Sequence, residues 1–245
     1  MAKNAGEDKR DKRGKQVKEQ EERSILINFV LDTSGSMDVI RDATISGFNE
    51  FLGDQRPEGG DARMTLTLFD SVSRTVATAV PVREMRDLDH HTYRPDGMTA
   101  LFDAIGHTLR LTDDYVAAHG PDQVLFVIMT DGHENASREF NGSRILDMIE
   151  KRKRDAGYEF IYLGANQDSM RAAESIGIRG GKSMDWAADP LQAKIAMERA
   201  SRNVKAYRRD GSRQMDENSF FCPQFEESGD LSYEEHRRQK DSGKR

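Results

Sequence analysis

Residues 25–31, Ile25-Leu26-Ile27-Asn28-Phe29-Val30-Leu31, run without a break into Asp32-Thr33-Ser34-Gly35-Ser36. The first stretch is apolar except for Asn28, which suits a central strand covered on both faces. The second offers one carboxylate and two hydroxyls at alternate positions. At the end of a strand the chain is still extended, so side chains at i, i+2 and i+4 lean the same way. Asp32, Ser34 and Ser36 can then converge on one point, and Gly35 lets the backbone turn sharply between them. An oxygen-only set of this kind is half of a site for a hard cation. Magnesium takes oxygen ligands in near-octahedral geometry and usually keeps some of its waters.

The other half lies further along. Met98-Thr99-Ala100-Leu101-Phe102 places a hydroxyl in front of a helical pattern, and residues 124–130 form a second buried-strand run that ends in Asp131-Gly132. Each residue also has a local role open to it. Ser34, Ser36 and Thr99 could cap the helices that follow them, because a hydroxyl there accepts from free backbone N–H groups. Asp131 could be a turn residue before Gly132.

Taken together and in this order, the residues closely resemble the metal-ion-dependent adhesion site of von Willebrand factor type A domains. The resemblance covers about residues 24 to 180 and includes the full D-x-S-x-S pattern, the later Thr and the later Asp. It implies that Asp32, Ser34, Ser36, Thr99 and Asp131 surround a magnesium ion, with manganese or calcium as alternatives. It implies hydroxyls that bind directly or through water and aspartates that often act through water. It further implies a protein-binding module: an Asp or Glu side chain of a partner completes the metal shell. The resemblance points to intracellular bacterial or phage members of the family. These act as adaptors in larger assemblies, sometimes with AAA-type ATPases or kinases.

The pattern around these motifs predicts the rest. Residues 38–52 carry Ile40, Ile45, Phe48 and Leu52 near helical spacing. Residues 64–70 and 75–82 read as strands joined by a turn too short for a parallel crossover, so the second is an antiparallel edge. A helix is expected over 100–111 and onward through Tyr115, and another over 143–154. A strand over 158–163, a short helix over 169–175 closed by Gly177 and a weak last strand near Ile178 follow. Asp189-Pro190 reads as a cap with proline at the first helical position, opening a helix to about residue 208 that packs on the domain. Strands alternating with helices predict an α/β fold: a Rossmann-like, doubly wound, mostly parallel sheet with one antiparallel edge strand and helices on both faces. In such sheets ligands bind outside the carboxyl ends of strands, where strand order reverses. Asp32 and Asp131 both fall at such ends.

Of 245 residues, 33% are charged and only 36% hydrophobic, with a net charge of −6, and the polar excess sits at the two ends. Residues 1–23 and 211–245 read as charged or polar tails, expected to be disordered. Residues 24–185 read as the type A domain and 186–210 as a C-terminal helix. No stretch is apolar enough to span a bilayer, and the lysine-bearing N-terminus lacks the apolar core of a secretory signal. The single cysteine, Cys222, permits no internal disulfide. Together these features favour the cytoplasm and argue against a membrane partner. The chain alone is expected to be monomeric.

The rim of the metal site would select the partner. The candidates are Met37 with Asp38, the loop His90-His91-Thr92-Tyr93, and His133-Glu134-Asn135. His90 and His91 read as plain surface residues, since a lone pair of histidines is weak metal evidence. The alternative of a metal-assisted phosphoester hydrolase lacks a clear general base beside the metal motif. His133-Glu134 opens like a zinc-peptidase helix, but Ser137 stands where the second histidine is needed. The chain is therefore read as not an enzyme. Lys151-Arg152-Lys153-Arg154 suits a helix C-terminus, and a nucleic-acid partner is not expected from one short basic run. Residues 220–225, Phe-Phe-Cys-Pro-Gln-Phe, form an aromatic patch in a polar region. It reads either as a docking motif or as a strap onto its own domain.

Overall fold

The computed structural model describes residues 23–165, 167–178 and 182–210. The residues of both tails before 23 and after 210, with Cys222 and the aromatic patch, lie outside them. The elements are β1 (Ser24–Asp32), a 3-10 turn (Gly35–Ile40), α1 (Arg41–Gln55), β2 (Asp61–Phe69) and β3 (Ser73–Pro81). Next come a short 3-10 turn (Val82–Glu84), α2 (Leu101–His119), β4 (Gln123–Thr130), α3 (Gly142–Ala156) and β5 (Glu159–Ala165). The chain continues through α4 (Gln167–Ser175), β6 (Ser183–Trp186) and α5 (Pro190–Asp210).

The six strands form one sheet in the order β3-β2-β1-β4-β5-β6, with every neighbouring pair parallel except β2 and β3. β3 is the antiparallel edge that the short turn predicts. The apolar runs become strands because both faces of each are covered, and the period-two alternation sorts their residues into two cores. Ile25, Ile27, Phe29 and Leu31 of β1 join Leu125, Val127 and Met129 of β4 beneath α1 and α5. Val30 joins Phe126 and Ile128 beneath α2, α3 and α4. Asn28, the polar exception in β1, is buried and accepts a 2.9 Å hydrogen bond from the Thr112 hydroxyl of α2.

Three local expectations shift. The helix expected from residue 38 starts at Arg41, because residues 35–40 are wound into the tight turn beside the metal motif. The helix after Thr99 runs on to His119. The last strand lies at Ser183–Trp186 rather than at Ile178, which is buried in the core without pairing as a strand.

Asp189 caps α5 as its sequence predicts, its Oδ1 accepting from Leu191 N and Gln192 N at 3.1 Å each. α5 packs along α1, and its Ala193, Ala196, Met197, Ala200, Val204 and Tyr207 belong to the same core as β1. Successive strands are laid down on one side of β1 (β2, β3) and then on the other (β4, β5, β6). The reversal of strand order therefore falls between β1 and β4, and the crevice it opens lies at their carboxyl ends. Among the described residues no helix is long and apolar enough to cross a membrane.

Candidate metal centre

Asp32 is the last residue of β1 and is fully buried. Its Oδ1 accepts from Ser34 N at 2.6 Å, which closes the turn after the strand. Its Oδ2 accepts from the Thr130 hydroxyl at 2.5 Å, across from the end of β4. Tyr93 donates its hydroxyl to the Asp32 carbonyl at 2.7 Å from below. The next turn brings Ser36 Oγ to 3.2 Å from Ser34 Oγ and lets it donate to Asp131 Oδ1 at 2.6 Å. Four of the five expected ligands thus form one continuous line: Asp32, Ser34, Ser36, Asp131.

Thr99 closes the cluster through Gly132. A Cβ placed on Gly132 would lie 2.8 Å from Thr99 Oγ1 and 3.6 Å from Ser34 Oγ. The missing side chain leaves room for the Thr99 hydroxyl beside the Asp131–Gly132 turn. Thr99 is held from behind: its N–H donates to Asn135 Oδ1 at 2.8 Å, and Asn135 N donates to the Thr99 carbonyl at 3.0 Å. Gly35 N donates to Gly97 O at 3.1 Å and Ala100 N to Asp70 O at 2.7 Å, which fixes the Thr99 loop against the other two.

The capping roles open to the serine and threonine are not taken. Ser34 precedes the 3-10 turn without a side-chain cap bond, and α2 begins after Ala100 with none either. The free N–H groups of α2 are met from elsewhere. Phe102 N donates to Glu134 Oε2 at 2.9 Å, and Asp103 N donates to the Ser137 hydroxyl at 3.0 Å. The hydroxyls of Ser34 and Thr99 are thereby left for the cluster.

Burial acts against charge on both carboxyls. Burial pushes the Asp32 carboxyl up to about 6, against the opposing hydrogen bonds from Thr130 and Ser34. Burial also raises Asp131, against the Ser36 hydrogen bond. Buried carboxylates without a cation are costly in their charged form. The donors are two carboxylates and three hydroxyls, all hard oxygens, a set that fits magnesium and not a thiophilic or imidazole-seeking metal. Among the described residues no three His, Cys, Asp or Glu side chains gather as a metal group, so a metal here would be held largely by hydroxyls. Ser34 and Thr99 are buried, whereas Ser36 is exposed and Asp131 half-buried, so the open side of the cluster faces solvent past these two.

The rim differs from expectation at four positions. Met37 is fully buried in the core under the 3-10 turn, because that tight winding turns it inward. Tyr93 is also fully buried, and its hydroxyl is committed to Asp32. Glu134 has both oxygens engaged, accepting from Ala136 N, Ser137 N and the Ser137 hydroxyl as well as from α2. Asn135 is exposed at its surface but acts as the brace of Thr99. His91 and His133 are exposed, as a rim requires.

Sequence reading missed Thr130, whose only signal was its place directly before Asp131. It also missed Glu134 as the cap of α2, since donor and acceptor are 32 residues apart. Elsewhere, Ser73 Oγ lies 2.8 Å from His107 Nδ1, and His107 Nε2 lies 3.0 Å from Glu139 Oε2. This line has the composition of a nucleophilic relay, but its carboxylate is 58% exposed, where water competes for every bond.

No family model matches the chain, and no curated protein matches it. Solved structures do. The vWF domain of the type V pili tip protein Mfa5 from Porphyromonas gingivalis superposes with a TM-score of 0.56 at 11% identity, over 80% of this chain and 98% of that one. A von Willebrand factor type A structure from Catenulispora acidiphila gives 0.51 at 12% identity, over 75% of this chain and 43% of that one. The pilus adhesin SpaC from Lactobacillus rhamnosus GG gives 0.53 at 13% identity, over 75% of this chain and 30% of that one. The chain spans less than half the length of the Catenulispora acidiphila and SpaC structures. The architecture of this chain is the von Willebrand factor type A fold.

Proposed function

We propose that the chain is a divalent-metal-dependent protein-binding module, an adaptor in which an Asp or Glu side chain of a partner completes the coordination of a magnesium ion. One observation carries this reading. The Ser34 and Ser36 hydroxyls of one turn and the Thr99 hydroxyl of another gather with buried Asp32 and half-buried Asp131 at the strand-order reversal, and Ser34 and Thr99 are not spent on helix caps. Ser34, Ser36 and Thr99 would hold the ion from the protein side, with Asp32 and Asp131 orienting them and balancing its charge. A bound magnesium ion would supply a hard, positively charged position able to accept a carboxylate. The protein's own residues do the rest. Thr130 and Ser34 N fix the Asp32 carboxylate, Tyr93 fixes its backbone, and Asn135 fixes Thr99. We place this module in the cytosol and assign it no catalytic step.

The test is calorimetric titration of chelator-treated protein with magnesium and with manganese, for the wild type and for Asp32→Asn. Saturable binding by the wild type, lost in the variant, is the expected result. Asn retains the shape of the side chain and an oxygen to accept from Ser34 N or Thr130, so loss of fold is not expected. Equal binding by both proteins would place the metal elsewhere.

A further inference from the structure

Five large apolar side chains stand well exposed among the described residues: Val39, Val72, Val76, Met98 and Leu191. Two of them belong to the loops that build the metal centre, and a third to a turn bonded to one of those loops. Val39 is 74% exposed on the turn that carries Ser36, and Met98 is 52% exposed directly before Thr99. Val72, 68% exposed, sits in the β2–β3 turn, which is tied to Met98 by a 2.9 Å hydrogen bond from Met98 N to Ser71 Oγ. The carboxyl edge of the sheet therefore presents apolar side chains around a carboxylate-seeking centre. A complementary ligand carries an acidic side chain beside a large apolar one.

The chain itself contains such a ligand. Beyond Asp210 it reads Phe220-Phe221-Cys222-Pro223-Gln224-Phe225-Glu226-Glu227, and again Tyr233-Glu234-Glu235. The N-terminal residues 1–22 have no aromatic residue. We infer that Phe225-Glu226-Glu227 occupies the chain's own metal centre, a glutamate completing the metal shell and the phenylalanines covering Val39, Val72 and Met98. The inference rests on the metal-dependent reading proposed above.

The chain can reach. α5 starts just past the carboxyl end of β6, on the metal-centre edge, and its last turn is anchored at the opposite edge. There Arg208 donates to Glu58 O and Gly59 O at 3.3 and 3.0 Å. With 21 residues, α5 is about 30 Å long. The segment from residue 211 to Glu226 extends to about 50 Å, enough to return along the helix to the centre. Charge sets the condition. Asp32 and Asp131 repel a glutamate when no metal is bound, so occupancy requires the ion. A partner would then have to displace the segment, which makes the contact autoinhibitory.

Cys222 is the only cysteine, so the full-length chain takes a single nitroxide label three residues before Phe225. Paramagnetic broadening of backbone amide signals is then read with magnesium and with chelator. The expected result is loss of the Val39, Val72 and Met98 peaks with magnesium and their return with chelator. The loss should be independent of protein concentration and abolished by the double change Glu226→Gln with Glu227→Gln. Loss that grows with protein concentration would assign the segment to a second copy and overturn the intramolecular contact. Loss removed only by Glu234→Gln with Glu235→Gln would overturn the choice of segment. No broadening while the Gly132 and Gly35 amides still shift with magnesium would overturn this inference and leave the metal-dependent module standing. No magnesium-induced shifts at all would overturn both.

Discussion

Gly132 stands where a side chain would occupy the position of the Thr99 hydroxyl, 2.8 Å from an added Cβ. Among the residues of the centre it is the one that works by what it lacks. Gly132→Ala is expected to push Thr99 aside, with overpacking costing about 1–3 kcal/mol of stability. Magnesium affinity should fall at least tenfold, which is roughly 1.4 kcal/mol. Thermal melts and titration calorimetry on the same samples check both. Unchanged affinity with lowered stability would remove Thr99 from the ligand set. The same close quarters explain why Asp32 is held so tightly. Burial raises its carboxyl to about 6, the hydrogen bonds from Thr130 and Ser34 N act against that rise, and the Tyr93 bond holds the backbone carbonyl of the same residue.

At the scale of elements, the anchoring of α5 is the feature most open to pH. Glu58 accepts from Arg209 at 2.6 and 2.8 Å, and that hydrogen bond, with the charges of Arg209 and Arg208, holds its carboxyl below the usual range. A carboxyl with a lowered folded-state pKa contributes stability that is present above the unfolded value of 4.5 and lost as pH falls through the folded value. Arg209 is 58% exposed, so solvent screens the pair and its contribution is roughly 0.5–1 kcal/mol. Denaturant unfolding should find the wild type more stable than Glu58→Gln by that amount at neutral pH, and the gap should close as pH falls below 4.5 through the lowered folded-state value. A gap that stays constant through this range would show that the pair contributes nothing.

The elements also show what sequence could and could not carry. Strand runs 25–31 and 124–130 were legible because burial on both faces leaves an unbroken apolar signature. The D-x-S-x-S run and Asp131 were legible because they sit at the ends of those runs. Helix 190–210 was legible through Asp189-Pro190, a cap signal local to the chain. Long-range bonds were not legible. Glu134 caps a helix that begins 33 positions earlier in the chain, and nothing near Leu101 announces it. Met37 and Tyr93 were placed on the rim because their neighbours are polar. The structure buries both, because a tight turn and a bond to the Asp32 carbonyl turn them inward. The last strand is not legible because Met184 and Trp186 are its only two apolar residues, too short a run for a period to show.

Across the whole molecule, α5 is part of the core rather than an appendage. Met197, Val204 and Tyr207 are buried against the layer that also contains Phe29, Phe48 and Trp186, and Arg208 reaches the Gln55 carbonyl at 2.8 Å. A chain stopped before Pro190 would expose that entire layer. It is expected to lose its cooperative thermal transition and to bind a hydrophobic dye while retaining helical signal, the marks of a collapsed state without fixed packing. A sharp melt in the shortened protein would mean that the sheet and its other helices form a self-sufficient unit.

Asp32 and Asp131 hang from β1 and β4, which are neighbours in the ladder with Leu31 facing Met129. Neighbouring strands lie about 4.8 Å apart, a spacing that brings Thr130 of β4 against Asp32 of β1, and Asp131 follows one residue beyond the end of β4. The sheet thereby sets the gauge at the Asp32 end of the cluster, stiff because the domain's packing would have to yield before it opened. Val39, Met98 and His133 share their turns with Ser36, Thr99 and Asp131, whereas Val72 sits on the β2–β3 turn outside them. Their exposed side chains can be exchanged or recharged so long as the backbones of those turns keep their length. A scaffold so arranged can change what it recognises through the side chains its turns expose, while the sheet beneath them stays as it is.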